Sequence, residues 1–292
     1  MPLRFSTKFF IGLWLSSVVM DNLPSSIINS SGIFGESSSV IRFVENNQRC
    51  PEPGKTSYFG WKDYVDQILA IPLFVISIPI VLLAILIVRA TSKGSGLYSQ
   101  VRVGKDGKVF TMYKVRSMRV DAESATGAVW ASKQDPRVTT VGRVFRKLHI
   151  DELPQLWNVI KGEMSLVGPR PERPQIVNIL DQKIDGYIYR LYVKPGITGY
   201  AQLNQSSDHD LNDVRRKIVY DLEYIQHASF TFDLILIFGT ILKSMHLLNE
   251  RTLKMLGLYK RVEDSQWADP LLVSPELINP NTQTLSDILR SS

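Results

Sequence analysis

Residues 68–88 read ILAIPLFVISIPIVLLAILIV, 21 positions without a charged side chain. An unbroken helix of that length rises about 30 Å, the thickness of a bilayer's hydrocarbon core. A buried helix of a soluble domain rarely runs so far with one hydroxyl, Ser77, as its only polar group. The stretch therefore reads as membrane-inserted, within a unit spanning 62–93. Pro72 and Pro79 lie inside it, and an interior proline removes a backbone hydrogen bond and bends a helix. Ser77, two residues before Pro79, is placed to bond a freed carbonyl. Two geometries follow: a kinked span, or a re-entrant turn that returns the chain to the face it entered. Arg89 and Lys93 come next, and by the positive-inside rule that end is cytoplasmic. The residues that follow the run are then cytoplasmic under either geometry.

Upstream, residues 9–20 (FFIGLWLSSVVM) form a shorter apolar segment behind Arg4 and Lys8. It is too short to span as a helix and fits an interfacial anchor, a signal-peptide core or a stretch buried against the membrane unit. Residues 21–60 are rich in Ser, Asn, Gly and Pro, so 1–61 is expected to be a poorly ordered extension. Downstream, 94–250 carries the motifs of a folded domain, and 251–292, with its prolines and serines, reads as a tail. The one cysteine, Cys50, excludes an internal disulfide and a thiolate zinc site.

The net charge is +6, and its distribution says more than its size. Residues 101–150 carry 11 Lys/Arg against 4 Asp/Glu, so the whole surplus sits in one fifty-residue stretch. A basic face next to an apolar run attracts anionic headgroups or phosphates. Nucleic acid is disfavoured, because the aromatic interleaving of a single-strand platform is missing.

Within that stretch, Leu97–Val103 and Val109–Val115 alternate around Gly104-Lys105-Asp106-Gly107 and predict a hairpin. Alternation puts Lys114 and Arg116 on one strand face. Arg143, Arg146 and Lys147 share a face if their segment is helical. The sign then reverses at Asp151-Glu152-Leu153-Pro154-Gln155. The plain reading makes Asp151 a helix N-cap with Pro154 in the first turn. Capping and catalysis are compatible, since a carboxylate pair can divide into a nucleophile and a ligand for a hard cation. In the loop Gly168-Pro169-Arg170-Pro171, two prolines stiffen the backbone around a planar phosphate binder. Lys194-Pro195-Gly196-Ile197-Thr198-Gly199 is a second stiff loop. Val219–Ile225 and Phe230–Leu248 read as helices, the latter amphipathic or buried at the membrane surface because Asp233 and Lys243 interrupt it.

Taken together and in order, KVRSM (114–118), DPR (135–137), VGR (141–143), DELPQLWNV (151–159), SLVGPRP (165–171), KPGITG (194–199) and DLEYI (221–225) resemble the bacterial sugar transferase family, the monotopic phosphoglycosyl transferases. The resemblance covers about residues 62–250. It implies an α+β architecture: a re-entrant, kinked N-terminal membrane helix, then a mainly helical cytoplasmic catalytic domain with a small β-hairpin and amphipathic surface helices. It also implies an enzyme that moves a sugar-1-phosphate from a nucleotide diphosphate sugar, a UDP-sugar, to polyprenyl phosphate at the inner (cytoplasmic) membrane. Nucleoside monophosphate is released, as a first membrane step of exopolysaccharide, capsule or O-antigen assembly. Asp151 would form a phosphosugar–aspartyl intermediate and Glu152 would hold Mg²⁺. Arg146, Arg170, Lys114 and Arg116 would bind substrate phosphate. The expected partners are the two substrates and membrane lipids, with no nucleic acid, and a homodimer is compatible with all of this. After Gln202-Leu203-Asn204 many members carry Gly-Arg-Asn; here Gln205-Ser206-Ser207 stands there, which leaves the sugar open. The alternative from another class is a non-catalytic scaffold that holds anionic lipid through the basic stretch. The intact DELPQ and GPRP motifs speak against it.

Overall fold

The computed structural model describes residues 56–122, 135–184, 186–205, 210–260 and 262. The short apolar segment 9–20, Cys50 and most of the extension and tail lie outside them. Helix α1 spans Phe59–Thr91, without a break at Pro72 or Pro79. It is long and apolar enough to cross a membrane by length and composition. Ser77 does turn its hydroxyl back onto the helix, bonding the Phe74 carbonyl at 2.8 Å. That is one residue away from Val75, whose carbonyl lacks a donor because Pro79 has no N–H.

The buried residues of α1 are Lys62, Asp66, Ala70, Ser77, Ala84 and Val88. At 100° per residue they fall within a stripe about 80° wide. Through it the helix packs along the rest of the domain, while Tyr64, Ile68, Val75, Ile76, Leu83 and Leu86 stay exposed. Near its start, Lys62 bridges Asp66 at 3.0 Å and pairs with Asp233. Tyr58 and Tyr224 hydroxyls each donate to Asp233 at 2.7 Å, and Ser165 donates to Asp66. Charges taken this far from water are tolerated because each is paired and hydrogen-bonded. Near the far end, Ala84 and Val88 pack on Val115 and Phe145.

The expected hairpin is present with the expected bounds: β1 (Leu97–Val103) pairs antiparallel with β2 (Val109–Val115), from Leu97 opposite Val115 to Val103 opposite Val109. Asp106 and Gly107 take positive φ in the connection, a conformation that Asp and Gly tolerate best. Then follow α2 (Thr140–Lys147), α3 (Gln155–Ile160), β3 (Ser165–Val167), α4 (Pro174–Lys183), β4 (Gly196–Thr198), α5 (Tyr200–Asn204), α6 (Leu211–His227), α7 (Phe230–Ser244) and α8 (Glu250–Met255). β3 and β4 form a second, parallel pair, Ser165 opposite Gly196 and Val167 opposite Thr198, which the sequence patterns did not suggest. Among the described residues the fold is thus a mixture of helices with two small sheets.

One core gathers Leu156, Val159, Met164, Leu166, Tyr200, Tyr224, Ile225 and Leu236 against Ala70 of α1. A second packs α4 and α6 around Tyr187, with Val103 of the hairpin. The domain continues past residue 250. Leu253 and Leu258 are buried in the first core, and Tyr220 donates to the Lys260 carbonyl at 2.7 Å. The segment read as a tail therefore contributes Leu253, Leu258 and Val262 to the core.

Candidate active site

The site begins with strand β2, whose penultimate residue is Lys114. Helix α2 is set against the end of that strand. Thr139 caps it by accepting from the Gly142 N–H at 2.9 Å. A Cβ at Gly142 would stand 1.9 Å from the Ser117 carbonyl, so only glycine allows this approach. It lets Arg146 donate from Nε to Ser117 Oγ at 2.9 Å. Arg143 and Lys147, on the same helix, stay exposed.

After α2 the chain reverses at His149, with φ of 56°, into a tight 3-10 turn, Ile150–Glu152. Asp151 is not a helix cap: Pro154 holds the N-cap position of α3, with no side-chain cap bond. Buried Asn158 fixes α3 against β2. Its Nδ2 donates to the Thr111 carbonyl at 2.7 Å, and its Oδ1 accepts from the Tyr113 N–H at 3.3 Å. The dyad is thereby brought to the end of β2.

Lys114 Nζ and Arg170 Nη2 both donate to Glu152 Oε1, each at 2.8 Å. Among the described residues, nothing bonds the Asp151 carboxylate, although it too is buried. The two neighbouring acids therefore differ. Burial would push the Glu152 carboxyl up, but the Arg170 and Lys114 cations outweigh it and hold it well below the usual carboxylate range. Burial, and the Glu152 charge beside it, push Asp151 up against the pull of Lys114, Arg146 and Arg170. Burial pulls the Lys114 ammonium down, with the Glu152 charge opposing it.

Arg170 is delivered by the loop after β3. There, backbone passes against backbone: a Cβ on Gly196 would stand 2.0 Å from the Gly168 N, and one on Gly199 would stand 2.2 Å from the Gly168 carbonyl oxygen. Four consecutive carbonyls of the loop are each bonded. Pro169 accepts from Gly196 N at 2.9 Å, Arg170 from Arg190 Nη2 at 2.9 Å, Pro171 from Arg102 Nη1 at 3.0 Å and Glu172 from Val103 N at 2.9 Å. The Glu172 side chain meets Lys217 at 2.6 Å, and that cation with Arg102 and Arg190 overcomes burial to hold its carboxyl at about 2.

Of the six residues singled out from the sequence, the structure gathers Asp151, Glu152, Lys114 and Arg170, with Arg146 close enough to act on the Asp151 charge. Arg116 is not brought there. Its Nη1 donates to the Lys93 carbonyl at 2.7 Å and its Nη2 to Ser92 Oγ at 2.6 Å, so it closes the chain leaving α1. The Asp135–Arg137 motif is likewise occupied with itself, its guanidinium and carboxylate 2.6 Å apart. Sequence reasoning missed the inner face of α7. There, Thr240 bonds Thr198 at 2.5 Å, Lys243 donates to the Gln202 carbonyl, and Ser244 meets His149 Nδ1 at 3.0 Å. Lys243 lies near enough to Arg170 to feel its charge. Its signal in sequence is the pair of charges, Asp233 and Lys243, inside a largely apolar helix. On the opposite side, α7 exposes Phe230, Leu234, Phe238, Ile241 and, just beyond it, Met245, at helical spacing.

Among the described residues there is no group of three acidic, histidine or cysteine side chains able to hold a metal. The dyad still fits a cation shared with a substrate. Mg²⁺ is commonly bound through one or two carboxylates plus substrate phosphates, and both cations here occupy the same Glu152 oxygen, leaving Oε2.

The site is thus a carboxylate dyad with cations around it, beside a helix long and apolar enough to cross a bilayer. The sequence pattern of the bacterial sugar transferase family matches residues 57–247, and the chain belongs to that family. It is 44% identical over 179 residues to a UDP-N-acetylgalactosamine-undecaprenyl-phosphate N-acetylgalactosaminephosphotransferase of Aeromonas hydrophila, covering 61% of this chain and 41% of that one. It is 39% identical over 180 residues to the UDP-glucose:undecaprenyl-phosphate glucose-1-phosphate transferase of Escherichia coli K12, covering 61% and 39%. With the protein of the same name from Caulobacter vibrioides it shares 37% over 182 residues, 62% of this chain and 68% of that one. The chain thus spans about two fifths of the length of the first two relatives.

Proposed function

We propose that the chain transfers a sugar-1-phosphate from a UDP-sugar to polyprenyl phosphate at the cytoplasmic face of the inner membrane, in two steps through Asp151. The observation that carries this reading is the asymmetry of the dyad. Glu152 is clamped as a carboxylate by Lys114 and Arg170, while the Asp151 carboxylate carries no bond among the described residues and is available to attack. In the first step an Asp151 oxygen bonds the β-phosphorus and the β-phosphorus–bridging oxygen bond breaks. UMP leaves with that oxygen. In the second, a phosphate oxygen of the lipid bonds the same phosphorus and the aspartyl–phosphorus bond breaks, restoring the carboxylate and giving polyprenyl diphosphate sugar. Arg170, Arg146 and Lys114 neutralise phosphate charge, which matters more in phosphoryl transfer than acid–base chemistry. Glu152 would hold Mg²⁺, which when bound supplies further neutralisation of the diphosphate.

The packing supports a monotopic reading, while the helix, unbroken from Phe59 to Thr91, shows no re-entrant turn. Lys62 at one end of α1 and Ser92 just past the other are both fastened to the same domain, through Asp233 and Arg116. A helix crossing the bilayer would separate those ends by about 30 Å of hydrocarbon. Exopolysaccharide or related glycan assembly is the role that fits such a product.

Asp151→Asn tests the chemistry, with released UMP measured in membranes supplied with polyprenyl phosphate and a panel of UDP-sugars. Loss of at least about 1000-fold is expected for removal of a nucleophile. Turnover near that of the unaltered protein removes Asp151 from that role. For topology, single cysteines at Ser57 and Lys93 in a Cys50→Ser background should both resist an impermeant thiol reagent added outside. Labelling of Ser57→Cys alone would mean that the helix crosses.

A further inference from the structure

We propose that Arg190 is a positioning residue for the reaction, holding Arg170 toward Glu152 through the Arg170 backbone carbonyl. The inference rests on the phosphate-binding role proposed above for Arg170. The two prolines beside Arg170 have no N–H, so on either side of it the loop offers its neighbours carbonyls only. The donor to the Arg170 carbonyl itself is Arg190, in the turn Tyr187–Tyr192, one of the most deeply buried charged residues of the described chain.

The guanidinium of Arg190 is used as a fork. Nε donates to Asp221 Oδ2 at 2.9 Å, and Nη2 stands 2.8 Å from the same oxygen. Nη2 also donates to the Arg170 carbonyl at 2.9 Å, and Nη1 meets Tyr187 Oη at 3.1 Å. Asp221 is itself buried on α6, so the orientation of the fork is set by a helix of the core rather than by the loop it holds. A rigid chain of contacts therefore runs from Asp221 through Arg190 to the Arg170 main chain, and from the Arg170 side chain to Glu152. Lysine cannot replace this fork, because one ammonium on a flexible stem cannot reproduce a planar group fixed at Nε and Nη2 together.

The test is a double-mutant cycle on the full chain in membranes, reading kcat for UMP release beside the thermal midpoint. Arg190→Lys keeps the charge facing Asp221 and gives up the anchored carbonyl. We expect kcat to fall about 10- to 100-fold, the scale of a misplacement near 1 Å. In an Arg170→Ala background the same substitution should cost less than about 3-fold, because the guanidinium it served is gone. A merely structural role would lower both backgrounds by the same factor, and that result overturns the proposal. So does an Arg190→Lys protein with unchanged kcat. If Arg170→Ala itself leaves turnover intact, the phosphate-binding reading of Arg170 fails, which is a different result from equal losses in the two backgrounds. Should Arg190→Lys not fold, Arg190→Met combined with Asp221→Leu removes both charges without leaving one bare, and the same cycle applies.

Discussion

A single methyl group at Gly196 should disable the site without touching any catalytic atom. In Gly196→Ala the new Cβ would sit 2.0 Å from Gly168 N, 2.4 Å from Thr198 O and 2.7 Å from Gly168 Cα. All three are backbone atoms, so no side chain can swing away. Contacts below 3.0 Å are not tolerated, and the strands β3 and β4 must therefore part by about 1 Å. That movement strains the bonds from Gly168 N to the Thr198 carbonyl and from Gly196 N to the Pro169 carbonyl, both 2.9 Å. Leaving buried backbone groups unpaired costs about 1–3 kcal/mol each, and overpacking about as much again. A total of about 3–9 kcal/mol is a large part of the stability of a typical domain. For a domain of this size it lowers the unfolding midpoint by about 10 °C or more. Arg170 lies two residues beyond Gly168, so a displacement near 1 Å should also cut turnover about 100-fold in protein that remains folded. The assay pairs thermal unfolding in detergent with UMP release measured well below the variant's midpoint. Gly60→Ala is the control, since its Cβ meets nothing within 4 Å and its helix favours alanine. A Gly196→Ala protein matching the Gly60→Ala protein in both measurements would refute the close-packed strand argument.

Three further outcomes follow from the geometry. Lys62→Met strips the cation from buried Asp66 and Asp233 and should destabilise the protein by about 3–5 kcal/mol, read as a lowered unfolding midpoint; an unchanged midpoint would mean the trio is not paired. Arg116→Met should lower stability by about 1–3 kcal/mol through the orphaned Ser92 and Lys93 carbonyls, while the folded fraction keeps its kcat; a large kcat loss would return Arg116 to the substrate. Because burial raises the Asp151 carboxyl and attack needs its ionised form, kcat should fall as pH drops through that raised value. Lys114→Met, by removing a cation that favours ionisation, should move this acid limb to higher pH, seen in a kcat–pH profile; a shift to lower pH contradicts the assignment.

What the sequence revealed and what it concealed divide along the range of the contacts involved. The hairpin was legible because alternation and the Gly104–Gly107 turn are local signals, and its two strands have the expected bounds. The dyad and Arg170 were legible as motifs, and the resemblance implied a role for each acid, but the electrostatic asymmetry between the two was not legible. It depends on Lys114, 38 positions from Glu152, and on Arg170, 18 away. β3 and β4 are three residues each and far apart in the chain, too short for any periodicity. Arg116 shares a strand face with Lys114 in sequence, yet alternation says nothing of which neighbour a face meets, and here it meets the end of α1. Lys62 and Asp66 stand just ahead of the apolar run with no local mark of burial; the Asp233 that makes them core residues lies 171 positions from Lys62.

The stripe of α1 that faces the domain bears on how the protein can be handled. Trimming the chain to begin after residue 93, in order to obtain a water-soluble catalytic fragment, would remove a wall rather than a tether. Asp233 would lose its counter-ion, and Val115 and Phe145 would lose Ala84 and Val88. The freshly uncovered surface would be apolar, and the fragment would be prone to clump. Purification therefore has to carry α1 along, with an amphiphile that coats its outward side and the exposed row on α7 while leaving the seam between helix and domain intact.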